Sequence, residues 1–259
     1  MARKKVIGVC KLCGRRRRLC RSHYLPKALF KLTREDGEHP IIFTPKIIAP
    51  SPRQMAAHLL CAECEHKFKL REDTALALMN GKKGFPLLDR MKLALTVGQG
   101  DKVLTFSGAT MGVDTDALAY FAVSLLWRGS VHEWSTLKGQ TTSVSLGKYE
   151  ERIRRYLLGE TGLPEGAYVL VAVCVDVGAQ NTIFPPHPLD GSKYRTYSTL
   201  VRGLWFHIVV DDEALSAETS RLCCVKSPRK LIFLKNCSDE FLHAGHHLQS
   251  TAEVDLRLH

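Results

Sequence analysis

Four cysteines in two pairs, Cys10-Lys-Leu-Cys13 and Cys61-Ala-Glu-Cys64, carry the strongest chemical signal in this 259-residue chain. A Cys-x-x-Cys step lets two thiolates from one tight turn reach the same tetrahedral Zn²⁺ ion, and two such pairs complete its four ligands. The second pair opens a predicted helix, where unpaired backbone N–H groups and the positive dipole end favour thiolate over thiol. A first pair on a knuckle turn and a second at a helix N-terminus is the arrangement of a treble-clef zinc site. A second ligand set competes with it. Cys10, Cys13, Cys20 and His23, spaced Cys-x₂-Cys-x₆-Cys-x₂-His, would close a local site without the second pair. The other four cysteines, Cys174, Cys223, Cys224 and Cys237, lie in apolar, strand-like sequence and are expected as separate buried thiols. Nine is an odd count, and no export signal accompanies it, so a disulfide framework is not expected.

Charge is the second signal, and its location matters more than its total of +11. Residues 1–34 hold twelve Lys and Arg and no acidic residue; beyond them acidic side chains outnumber basic ones by one. All the positive excess therefore sits on the segment that carries the first cysteine pair. Such a local field attracts a polyanion, of which nucleic acid is the commonest in cells. Arg15-Arg16-Arg17-Arg18 is its densest point. Four adjacent guanidinium groups repel one another, and their planar forks match phosphate oxygens, so they are expected to form a phosphate clamp.

The order of these motifs resembles a known family. Cys10-x₂-Cys13, then Leu19-Cys20-Arg21-Ser22-His23-Tyr24-Leu25-Pro26-Lys27-Ala28-Leu29, then Leu59-Leu60-Cys61-x₂-Cys64-Glu65 is similar to the zinc-containing branch of the HNH, or ββα-metal, endonucleases. The resemblance covers residues 9–70, about a quarter of the chain. It implies that His23 is the general base that activates water against a phosphodiester, with Lys27 close to the phosphate. It also implies a second divalent ion, typically Mg²⁺, on the scissile phosphate. The sequence departs from the family at the ligands of that ion. Ser22 stands where an acidic residue or His is usual, Glu65 where His or Asn is common, and Lys69 near the helix's final His. Glu65 or His66 would have to take over the ligation, and His58 lies just ahead of the second pair. A mobile-element or bacterial defence setting accompanies the resemblance.

Several elements must position these residues. Turns and short strands are predicted over residues 1–27, and the proline-rich run His39–Pro52 reads as an extended connector. Met55 to Met79 is helical in pattern and stops at Asn80-Gly81. A strand is predicted over Lys102–Phe106. A helix capped by Asp114 and apolar on all sides runs to about Trp134, with Trp127 of the Trp127-Arg128 step read as core rather than as a base-stacking residue. An amphipathic helix covers Lys148–Leu158. Strands follow at Tyr168–Val177, Leu200–Val210, Leu222–Lys226 and Lys230–Leu234. His187 reads as a loop residue, and His243-x-x-His246-His247 as a surface feature despite its metal-like spacing.

The expected fold class is α+β: an N-terminal treble-clef zinc module over residues 1–80, a helical middle and a strand-rich C-terminal region, residues 81–259 forming a body of unassigned role. The expected function is nucleic-acid binding, DNA ahead of RNA, with metal-dependent phosphodiester hydrolysis. His23, Glu65 and His66 would be catalytic, Arg15, Arg16, Arg17, Arg18 and Lys27 would bind the backbone, and zinc would sit on Cys10, Cys13, Cys61 and Cys64. The alternatives are a non-catalytic zinc module and a structural subunit of a nucleoprotein complex that meets protein partners through the body. The composition, 45% hydrophobic and 24% charged, excludes a disordered chain. The longest apolar stretch, Ala117–Trp127, falls short of the roughly 20 residues a membrane span needs. No apolar h-region follows Met1-Ala2-Arg3-Lys4-Lys5, so a cytoplasmic location is expected. No Gly-rich nucleotide motif is present, which disfavours NTP-driven and redox chemistry.

Overall fold

A computed structural model of the protein describes residues 5–33, 39–43, 47–51, 54–80, 84–93, 103–135, 141–213, 215–237 and 253–254. The chain begins with β1 (Ile7–Val9) and β2 (Arg16–His23), continues through α1 (Lys27–Leu32), β3 (Ile41–Phe43) and β4 (Ile47–Pro50), and reaches β5 (Ala56–Cys61) and α2 (Ala62–Met79). Strands β1, β2 and β5 form an antiparallel three-stranded sheet with β2 in the middle, and α2 leaves directly from β5. The predicted helix over Met55–Met79 is thus corrected in its first quarter. Backbone pairing of Leu19 with Cys61 and of His23 with Ala56 holds that stretch extended, and Leu59 and Leu60 bury from a strand. The run Ala-Ala-His-Leu-Leu is too short for its periodicity to separate helix from strand.

After α3 (Pro86–Leu93) and β6 (Val103–Ser107) comes α4 (Thr115–Ser130), capped by Asp114, whose side chain accepts from the Ala117 N–H at 2.9 Å. Every residue of α4 except Asp116 and Ser130 is buried. This all-round apolar helix is central, as its sequence requires, packed against α2 on one side and a large sheet on the other. It ends four residues before the expected Trp134, where the chain turns into β7 (Trp134–Ser135), paired with β8 (Thr141–Thr142). Next are α5 (Tyr149–Leu158), closed by Gly159 in the left-handed region, then β9 (Ala167–Cys174), α6 (Val177–Gln180), β10 (Thr182–Pro188), β11 (Thr196–Val201), β12 (Leu204–Val210), α7 (Ala217–Arg221), β13 (Leu231–Lys235) and β14 (Glu253–Val254).

Nine strands form the large sheet, in the order β14-β4-β3-β10-β11-β12-β9-β13-β6. Three neighbouring pairs, β14 with β4, β3 with β10, and β9 with β13, are parallel and the rest antiparallel. Strand β9 alternates, with Ala167, Val169, Val171 and Val173 buried. The protein is therefore α+β, with its strands concentrated in the C-terminal half.

Four further expectations are corrected. The supposed single strand over Leu200–Val210 is two, because Arg202 and Gly203 both adopt positive φ and reverse the chain in a two-residue hairpin. Residues 222–226 form turns rather than a strand, although Cys223 and Cys224 are buried there. The proline-rich connector contributes β3 and β4 to the large sheet. Cys174 and Cys237, at the ends of parallel β9 and β13, are joined as a disulfide with Cα atoms 5.6 Å apart. No helix among the described residues is long and apolar enough to cross a membrane.

Candidate metal centre and histidine cavity

The turn between β1 and β2 is a knuckle built for sulfur. Cys10 N–H donates to the Arg15 carbonyl and Gly14 N–H to the Cys10 carbonyl, each at 2.9 Å. Gly14 sits at φ +71°, where a side chain would be strained. Backbone N–H groups of Cys13, Cys61 and Leu12 point at the Cys10 sulfur, and that of Arg15 at the Cys13 sulfur. Two bonds bring the second pair to the first: Lys11 N–H donates to the Leu59 carbonyl at 3.0 Å, and Cys61 N–H to Cys10 Sγ at 3.3 Å. On the outside, Arg154 of α5 reaches the Leu12 carbonyl and ties the knuckle to the helical layer.

As a result the sulfurs of Cys10, Cys13, Cys61 and Cys64 all lie within 4.8 Å of one another, with Cys13 Sγ and Cys61 Sγ 3.9 Å apart. Zinc–thiolate bonds of about 2.3 Å in a tetrahedron place sulfurs about 3.8 Å apart, so the cluster can hold a metal ion such as zinc. Burial raises the Cys10 and Cys64 thiols, whereas the N–H of Arg15 and the neighbouring sulfurs outweigh desolvation at Cys13 and lower it. Cys20 and His23, the rival ligands, are not in the cluster. Cys20 is half-buried beside Glu65, and burial, reinforced by the Glu65 charge, raises its thiol.

His23 ends β2 and lines a cavity of about 470 Å³ with Arg21, Lys27, Gln54, Met55, Ala56, His132, Trp134 and Ser135. Arg21 and His23 share a face because strand side chains alternate. Burial lowers the His23 pKa, and the charges of Arg21, Lys27 and Arg128 lower it further. The far wall is rigid. Trp134 is buried, stacks on buried Tyr24 with ring centroids 5.0 Å apart, and donates Nε1–H to the Arg128 carbonyl at 2.8 Å. His132 meets the Trp134 ring edge-on at 4.9 Å.

The three residues expected to act together do not share this cavity. His66 is exposed on α2 and lines a separate hollow of about 780 Å³ with Glu63, Lys67, Arg71, Tyr120 and Tyr156. Glu65 turns toward Cys20, its Oε1 buried without a hydrogen-bond partner among the described residues. No carboxylate lines the His23 cavity among the described residues. Arg15, Arg16, Arg17 and Arg18 are all exposed, the last three paired across β1 with Val9, Gly8 and Ile7, and no ion pair occupies them among the described residues. Lys27 is the first residue of α1 and reaches the cavity mouth.

Sequence reasoning missed His132, which has no local motif and is carried to His23 by the packing of α4. It also missed the partner of Arg128. That residue is buried and charged: Arg128 Nη1 lies 2.7 Å from buried Glu72 Oε1, which accepts a hydrogen bond from Ser124, and its guanidinium sits 4.5 Å over the Phe68 ring. Trp127 is buried as expected. His187 lies in β10 rather than in a loop, and His243, His246 and His247 lie outside the described residues. No protein-family model, curated protein or solved structure matches this chain.

Proposed function

We propose that the chain is a zinc-stapled nucleic-acid-binding protein whose N-terminal treble clef presents a cationic strand to a phosphate backbone. One observation carries the reading. The knuckle that brings the four sulfurs together also launches β2, so Arg15–Arg18 stand exposed with no carboxylate partner among the described residues, and the strand ends in a cavity lined by Arg21, His23, Lys27 and His132. Zinc on Cys10, Cys13, Cys61 and Cys64 would fasten this strand to α2, since a structural site of this kind contributes folding energy directly. The order of β2, β5 and α2 agrees with the ββα resemblance. Hydrolysis by water on a second ion would require Glu65 or His66 to face His23; they face elsewhere, so binding is the function supported.

The test is a salt titration. Purified protein should contain one zinc, and its affinity for an oligonucleotide duplex should fall steeply with salt. Changing Arg15, Arg16, Arg17 and Arg18 together to Ala should flatten the slope of log K against log salt by about 0.9 for each phosphate no longer neutralised. It should also weaken binding alike across base sequences, because phosphate contacts carry no sequence information. An unchanged slope removes these residues from the interface.

A further inference from the structure

We infer that the His23 cavity cleaves RNA without a catalytic metal ion, His23 acting as base, His132 as acid and Lys27 as the phosphate's counter-charge. The inference rests on the nucleic-acid reading and adds to it a substrate class and a reaction. Three observations lead there.

Two imidazoles from distant parts of the chain, one at the end of β2 and one just beyond α4, line the same small cavity. Both stand on rigid supports. His23 is held by strand pairing with Ala56, while Tyr24 N–H donates to the Met55 carbonyl at 2.9 Å. His132 abuts Trp134, itself fixed by the Tyr24 stack and the Arg128 carbonyl. Such support is what a pair of proton-transfer groups needs.

The remaining charges are cationic. Arg21 and Lys27 line the cavity, and Arg128, itself paired with Glu72, adds a smaller charge effect on His23. Cations around two imidazoles repel a metal ion and welcome a phosphate, so the pair is better placed for proton transfer than for metal ligation. Burial first, and these charges after it, favour the neutral form of His23, the form a base requires.

With no carboxylate lining the cavity among the described residues, a metal-bound water lacks its usual anchor there, but RNA carries its own nucleophile. His23 takes the proton of a ribose 2′-hydroxyl, and O2′ forms a bond to phosphorus. The charge gathering on the non-bridging oxygens meets Lys27 and Arg21. The bond from phosphorus to O5′ breaks, and His132, entering as imidazolium, gives its proton to the departing oxygen. The products are a 2′,3′-cyclic phosphate and a 5′-hydroxyl. His23 leaves protonated and His132 neutral, and exchange with water restores both.

The experiment incubates full-length, zinc-loaded protein with an unstructured, end-labelled RNA oligonucleotide and with DNA of the same sequence, without added divalent ions. Binding is followed in parallel by anisotropy. RNA should be cut to fragments ending in a cyclic phosphate, and DNA should be bound but left intact. His23→Ala and His132→Ala should each slow cutting by about 10²-fold or more, measured with RNA at saturating concentration so that any change of affinity is separated from the rate. His23→Gln and His132→Asn, checked for zinc content, cover the event that an Ala variant fails to fold. If RNA is bound but not cut, if cutting requires Mg²⁺ or extends to DNA, or if either variant of His132 cuts at the parental rate, the inference is overturned while the binding reading stands. If neither nucleic acid is bound, the binding reading falls and the inference with it.

Discussion

At the scale of the residue, His23 is the most informative side chain, because its environment disfavours its charged form by two routes. Burial removes water from the imidazolium, and Arg21, Lys27 and Arg128 repel it, so its pKa lies below the ordinary 6.5. The unfolded chain takes up this proton at the ordinary value and the folded chain resists it. The stability contributed by neutral His23 is therefore complete above about pH 6.5 and is lost as pH falls through the lowered value. Urea unfolding at pH 7.5 and near pH 5 should show His23→Gln losing less stability on acidification than the parent. Any change of protonation at the four-cysteine cluster is common to both proteins and cancels in the difference. The cysteine cluster itself was legible in the sequence because a Cys-x-x-Cys step is local, the first set by one turn and one glycine. The partnership of His23 with His132 was not, because 109 positions separate them and only helix packing brings them together.

At the scale of the element, the contact between α2 and α4 joins the cysteine-bearing helix to the sheet. Phe68, Tyr120 and Trp127 make its apolar part, and the buried pair of Glu72 and Arg128 lies among them. Removing one partner strands a charge away from water, which costs about 3–5 kcal/mol. Glu72→Gln should accordingly lower the melting temperature by roughly 10 °C. The double variant Glu72→Leu with Arg128→Met should recover most of that loss, since an apolar pair carries no desolvation penalty. Calorimetry of the three proteins decides the matter. A single variant that melts like the parent would mean that water reaches the pair. Helix α4 could be read from its Asp114 cap and all-round apolar run, and α5 from its periodicity and closing Gly159. Strand β10 could not, since Pro185 and Pro186 look like loop residues and are accommodated by a shift of register against β11 between Phe184 and His187. The β11–β12 hairpin was missed for a related reason. Its turn, Arg202-Gly203, places a non-glycine residue at positive φ, outside the usual Asn-Gly and Asp-Gly signals.

At the scale of the whole molecule, the Cys174–Cys237 bridge closes a segment of 63 positions that contains α6, β10, β11, β12, α7 and β13. A cross-link of that span stabilises by about 2–4 kcal/mol, chiefly by limiting the unfolded chain. Under non-reducing conditions the Cys174→Ala, Cys237→Ala double variant should be less stable than the parent by that amount, and a reductant should bring the two proteins together. Equal stability without reductant would show that the bridge does not form in solution.

Strands β3 and β4 fall between the two cysteine pairs in sequence, yet β3 hydrogen-bonds to β10 in the large sheet. The chain leaves the small sheet after α1, lends two strands to the large one, and returns as β5 to supply the last two sulfurs. A genetic breakpoint near residue 80 would not release an independent cassette. The severed piece would carry off two strands of its neighbour's sheet, and the Thr182–Ile183 edge of β10 would lose its partner. The cysteine cluster and the sheet behind it are therefore cut apart only at the cost of strands that the sheet uses.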